Sequence, residues 1–163
     1  VAGGIALPLD DQRGVAAWIR RVSAIEADIV VIDLPPQIGA ATAAALILAE
    51  LFLVPVAPSG LDLRAAGKAL DLLQEARAAR NDGKPGVLMV PSKVDRRTGA
   101  GREIEAALHE MGHPVGPAVG LRTAFVDSAA ALDWIGSFAP RSVAHQEIGA
   151  LAAVVDRITR RKG

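Results

Sequence analysis

Cysteine and tyrosine are both missing from this chain, and three phenylalanines and two tryptophans are its only large aromatic residues. Without cysteine there can be no disulfide, no thiolate metal site and no cysteine nucleophile, a composition that fits a reducing compartment. Net charge is missing too. Lysine plus arginine and aspartate plus glutamate both number 18, so any affinity for a polyanion must come from a local patch. No apolar run reaches the roughly 18 residues of a membrane span, because Glu50 and Pro55 interrupt the best candidate, and no signal-peptide pattern is present. There is no G-x-S-x-G elbow, so Ser92 and Ser142 have no support as hydrolase nucleophiles. What the chain has is 163 residues, 51% of them hydrophobic and dominated by alanine, leucine and valine. That is enough for one domain whose helices and sheet pack through aliphatic side chains.

Along the chain, apolar runs alternate with helical patterns. Ile5 to Leu9 is a short apolar run; after Asp10-Asp11, Val15, Trp18, Ile19, Val22 and Ile25 recur at helical spacing. Ile29 to Ile32 is a β-branched run that predicts a strand buried on both faces, ending at Asp33. An alanine-rich helix is expected over 40–49, a second buried strand over 51–56, and a helix through Leu63, Ala66, Leu70 and Leu73 that Asn81-Asp82-Gly83 closes. Val87 to Val90 predicts a third strand. Ile104, Ala107, Leu108 and Met111 predict a helix stopped by Gly112 and Pro114. Residues 115–121 read as a short strand or loop. Ser142 caps a last helix with Ile148, Leu151, Ala152, Val155 and Ile158 on its inner face. The alternation predicts an α/β fold, three-layered α/β/α around a mainly parallel sheet, in a single domain over 1–163.

In such sheets ligands bind beyond the carboxyl ends of the strands. Asp33 stands at one such end, followed by Leu34-Pro35-Pro36, and Pro91-Ser92-Lys93 stands at another. The simpler reading of Asp33 is a turn or cap residue. Against it stands DIVVIDLPPQIG, which resembles the Walker B and switch II stretch of the ParA/MinD partition ATPases: an apolar strand and then Asp-x-Pro-Pro. LFLVPVAPSGLDLRAAGKALDLL and VLMVPSKVDRRTGAGREIEAALHEMG are similar to the family's next two strand-helix units. LRTAFVDSAA and FAPRSVAHQEIGALAAVV resemble its closing segments, so the likeness runs over about residues 5 to 159.

The resemblance implies a P-loop NTPase-like fold and an ATPase that takes part in plasmid or chromosome partitioning. ATP and Mg²⁺ are the implied cofactors. The implied partners are non-specific DNA, a ParB-like adaptor and a second copy in an ATP-dependent homodimer, in a cytoplasmic, nucleoid-associated setting. Asp33 carries over as the Mg²⁺-holding catalytic acid, and Pro35, Pro36, Ser92 and Lys93 as residues beside the nucleotide. Lys93, Arg96, Arg97, Arg102 and Arg122 are the candidate DNA contacts; the simpler reading makes them a solvated face interleaved with Asp95 and Glu103. The basic tail of Arg157, Arg160, Arg161 and Lys162 carries the same two readings.

A nucleotide also needs a glycine-rich loop whose backbone N–H groups and lysine cradle the phosphates. Neither G-x-x-x-x-G-K-[ST] nor its deviant form occurs, and Gly3-Gly4 has no lysine behind it. The family keeps that loop upstream with the first strand. The chain, starting at Val1, is therefore expected to be the C-terminal portion of a ParA-like domain, lacking both and inactive alone. The alternative is a non-catalytic interaction module on a degenerate scaffold.

One further motif competes. His109-Glu110-Met111-Gly112-His113 matches the H-E-x-x-H zinc-peptidase pattern. Both histidines must then lie on one helical face, yet Gly112 and Pro114 end the helix between and after them. A helix terminus with surface histidines is the expected outcome. Trp18 and Trp134 are expected in the core.

Overall fold

The computed structural model describes residues 4–9, 12–35 and 39–160. Asp10, Asp11, Pro36, Arg161 and Lys162, all named above, lie outside these. The described residues make a mixed α/β structure that falls into two compact units, Val1–Glu50 with Ala69–Pro85, and Leu51–Lys68 with Gly86–Gly163.

The first unit is helical. A 3-10 turn, Gln12–Gly14, leads into α1 (Val15–Ser23), and α2 (Ala40–Leu48) packs on it. Trp18, Val22, Ala44 and Ala45 form the buried centre, with Leu7, Leu9, Ile32 and Leu34 packed against it. Burying the indole requires a partner for its N–H, and Trp18 Nε1 donates to the Leu7 carbonyl at 2.8 Å. Ala44 and Ala45 of α2 are both buried, and their small side chains suit close packing. The C-terminal end of α3 (Gly60–Arg80) contributes Leu70 and Leu73, both buried. Asn81 and Gly83 then turn the chain with φ of 56° and 70°, where the sequence places its helix stop.

Residues 29–33, predicted as a buried strand, form none. They join no ladder, and Ile29 and Val31 are 65% and 85% exposed. Exposure alternates instead: Ile32 and Leu34 lean on the α1–α2 core while Val31, Asp33 and Pro35 face outward. A strand's backbone groups need a neighbour on at least one side, and no described segment pairs with this one.

The second unit carries the sheet. β1 (Leu51–Val56) and β2 (Gly86–Pro91) run parallel, with Leu51 opposite Gly86 and Val56 opposite Pro91. On the far side of β2 the segment 114–121 runs alongside through isolated parallel bridges, Met89 to Val115 and Val94 to Gly120. Met89 N–H donates to the Pro114 carbonyl at 2.9 Å and Gly116 N–H to the Met89 carbonyl at 2.8 Å. Flanked on both sides, β2 is buried from Val87 onward, whereas β1 exposes Leu53 and Pro55. Pro55 lacks a ladder donor and so suits this outer position. Ser59 caps the start of α3, its hydroxyl accepting from Asp62 N–H at 3.1 Å and donating to the Asp62 carboxylate.

α4 (Gly99–Glu110) buries Ile104 and Leu108 as its spacing predicts, and ends before Gly112 at φ 76°. Two short helices follow that the periodicity does not reveal, α5 (Thr123–Ala130) and α6 (Ile135–Phe138). α7 (Val143–Arg160) starts at the expected Ser142 cap, where His145 N–H donates to Ser142 Oγ at 3.1 Å. Its predicted inner face is half-buried at Ile148, Leu151, Val155 and Ile158 but exposed at Ala152. Trp134 is not in the core. It is 62% exposed and lies over Gly136, where an added methyl would collide with the indole, and edge-on to the His145 ring at 5.4 Å.

Candidate functional site

A polar cluster sits where β2 ends. Ser92 N–H donates to the Val56 carbonyl at 2.9 Å, extending the parallel register one residue past the strand, and Ser92 Oγ donates back to the Val90 carbonyl. Lys93 then adopts φ 53°, a left-handed conformation uncommon for a side-chain-bearing residue. Val94 returns to the ladder by donating to the Val119 carbonyl and accepting from Leu121 N–H. The backbone thus clamps loop 92–98 against segment 119–122.

Within the loop Asp95, Arg97 and Thr98 are bound to one another and to the start of α4. Asp95 accepts from Arg97 N–H at 3.0 Å and takes the Arg97 guanidinium in a two-pronged pair, Nε to Oδ1 at 2.8 Å and Nη2 to Oδ2 at 2.7 Å. The Arg97 hydrogen bonds, side chain first and backbone second, hold the Asp95 carboxyl down at about 2. Thr98 caps α4: its hydroxyl donates to the Asp95 carbonyl at 2.8 Å and accepts from Gly101 N–H at 3.0 Å. Arg102 reaches back to donate to the Arg97 carbonyl at 2.9 Å.

Two further ion pairs complete the edge. Arg96 meets Glu105 of α4 at 2.6 Å, and Arg122, at the start of α5, meets Glu147 of α7 at 2.7 Å. Glu147 Oε2 also accepts from Gly120 N–H at 3.0 Å. Burial is the largest single influence on the Glu147 carboxyl and pushes its pKa up. The hydrogen bonds from Arg122 and Gly120, with the attraction of Arg122 and Arg96, together outweigh it and bring the value below normal. Glu105 with Arg96 and Glu147 with Arg122 are thus two ion pairs along this edge.

The cationic residues singled out in the sequence therefore do come together: Lys93, Arg96, Arg97, Arg102 and Arg122 belong to the loop, the start of α4 and the start of α5. Three of the five face a carboxylate. Asp95 was visible as an interleaved acid, but Glu105 and Glu147 were missed, since nothing in the spacing of two acids on separate helices points at a loop arginine. Asp33 and Pro35 lie exposed in the first unit.

The chain is similar to the Maintenance of carboxysome distribution protein A of Halothiobacillus neapolitanus, with 30% identity over 89 residues. The match covers 54% of this chain and 40% of that protein's length. No protein-family profile matches the chain.

The metal motif is decided by local geometry. His109 lies in the last turn of α4, its Nδ1 2.7 Å from the Glu105 carbonyl; His113 follows the helix, beyond the left-handed Gly112. The two rings do not share a helical face. Among the described residues no three histidines or carboxylates cluster as a metal site. For Mg²⁺ with a nucleotide, Asp33 is an exposed carboxylate that joins no such cluster among the described residues, and a hard cation that keeps its water needs more oxygens than one acid supplies. The described residues do not by themselves fit that pair. Nor is any helix among them long and apolar enough to cross a membrane.

Proposed function

We propose that this chain is the C-terminal portion of a ParA/MinD-type ATPase domain that positions a cargo inside the cell, with a three-layer P-loop NTPase fold in the complete domain. The observation that carries the reading is the similarity to a protein named for maintaining carboxysome distribution. The parallel register of β1 and β2, and the order of the Asp-Leu-Pro-Pro, Ser-Lys and Asp-Arg-Arg-Thr segments along the chain, agree with it. Whether the cargo is a plasmid, a chromosome or a protein assembly, the shared logic is a nucleotide-controlled homodimer that holds non-specific DNA and answers to an adaptor of ParB type.

In the complete domain the resemblance would make Asp33 the carboxylate for Mg²⁺, followed in the chain by Pro35 and Pro36, and would make Ser92 and Lys93 nucleotide-bordering residues. The phosphates need a backbone nest and a lysine. Neither G-x-x-x-x-G-K-[ST] nor its deviant form occurs in this sequence, so in this reading another part of the domain supplies them. Arg96, Arg97, Arg102 and Arg122 with Lys93 form the face that meets the phosphodiester backbone. The protein from the whole open reading frame should hydrolyse ATP slowly, and Asp33→Ala should abolish the hydrolysis while leaving the protein folded. Undiminished turnover in that variant would remove Asp33 from the mechanism. Absence of any nucleotide binding by the whole protein would favour a non-catalytic interaction module instead.

A further inference from the structure

The cationic edge beside β2 carries its own counter-ions, and they are not equivalent. Asp95 and Glu105 hold Arg97 and Arg96 on the outer side of the loop, where the arginine side chains are 90% and 66% exposed and solvent competes for both partners. Glu147 differs. Its side chain is only 18% exposed, it comes from α7 rather than from the loop's own neighbourhood, and it binds both the Arg122 guanidinium and the Gly120 N–H. Gly120 is itself bridged to Val94, so Glu147 is tied to the same backbone that carries Arg96 and Arg97.

Resting on the proposed affinity for duplex DNA, we propose that Glu147 is a positioning residue that limits this affinity, by occupying Arg122 as an internal anion in competition with phosphate. A guanidinium can satisfy a carboxylate or a phosphate in the same two-pronged way, so one must be released for the other to bind. Each phosphate neutralised by an arginine adds about 0.9 to the slope of log affinity against log salt. While Glu147 holds Arg122, that increment is withheld.

The deciding experiment measures the affinity of the whole protein for a random-sequence DNA duplex, with ATP and Mg²⁺, over a range of salt concentrations. Glu147→Gln keeps an oxygen for the Gly120 N–H but removes the charge. It should bind roughly eightfold tighter at 0.1 M salt, with a slope steeper by about 0.9. The double variant Glu147→Gln with Arg122→Gln should lose that gain, a result that a merely loosened α7 would not give. If the wild type binds DNA and Glu147→Gln binds no tighter with an unchanged slope, the inference falls and the functional reading stands. A gain that survives in the double variant overturns it equally. If neither wild type nor Glu147→Gln binds duplex DNA even at low salt, the proposed DNA affinity and this inference fall together.

Discussion

At Gly101 a methyl group has no room: a Cβ there would lie 2.0 Å from the Asp95 carbonyl oxygen and 2.9 Å from Thr98 Oγ1. The loop and the first turn of α4 are closed on each other at that point, and the contact is backbone, which cannot swing aside. Gly101→Ala is therefore expected to destabilise the protein by about 1–3 kcal/mol, read from the urea midpoint. Wild-type stability in that variant would mean the Thr98 cap is looser than its distances imply. Asp95, two hydrogen bonds away, gives a cleaner readout because it titrates. Its folded value of about 2 lies below the ordinary 3.8, so the Arg97 interaction contributes fully above the ordinary value and is lost as pH falls through about 2. In an NMR titration the Asp95 carboxyl should have its midpoint near 2, moving up toward 3.8 in Arg97→Gln. A midpoint already near 3.8 in the wild type would show the pair to be open in solution. The residue types of this loop were plain in the sequence. Its pairings were not, because Glu105 and Glu147 reach it only through the packing of α4 and α7.

Among the elements, α2 shows how a helix end is closed without a glycine. Arg80, from the end of α3, sends Nη1 to the carbonyls of Leu46 at 3.0 Å and Ala49 at 2.9 Å, while Asp82 pairs with its Nη2 at 2.9 Å. These carbonyls have no partner within the helix, and a cation suits the negative end of the helix dipole. Replacing Arg80 by Ala is expected to cost about 2 kcal/mol in the urea unfolding of this part of the chain, the scale of hydrogen bonds to a charged group. A change within experimental error would assign the arginine to solvent. The longer helices and both strands were legible because their apolar residues repeat at helical spacing or run unbroken, with Asn81, Gly83 and Gly112 as stops. α5 and α6 were not: neither is long enough to display a period, and Val126 and Phe138 point outward. Residues 29–33 failed for another reason. The apolar run is there, but a strand is made by its neighbour, and the neighbour is not among the described residues.

For the whole molecule, the proposed function treats the site as incomplete in this chain. Asp33 is exposed in the first unit, while at the β2 edge in the second Arg96, Arg97 and Arg122 each face a carboxylate and the loop is clamped. The proposed role of Asp33 needs phosphate oxygens to share its cation, and neither G-x-x-x-x-G-K-[ST] nor its deviant form occurs in the sequence. Isothermal titration calorimetry with ATP and Mg²⁺, on the 163-residue chain and on the product of the whole open reading frame, tests this most directly. The expected result is no measurable heat of binding for the chain and clear saturable binding for the longer protein; tight ATP–Mg²⁺ binding by the 163-residue chain would contradict it.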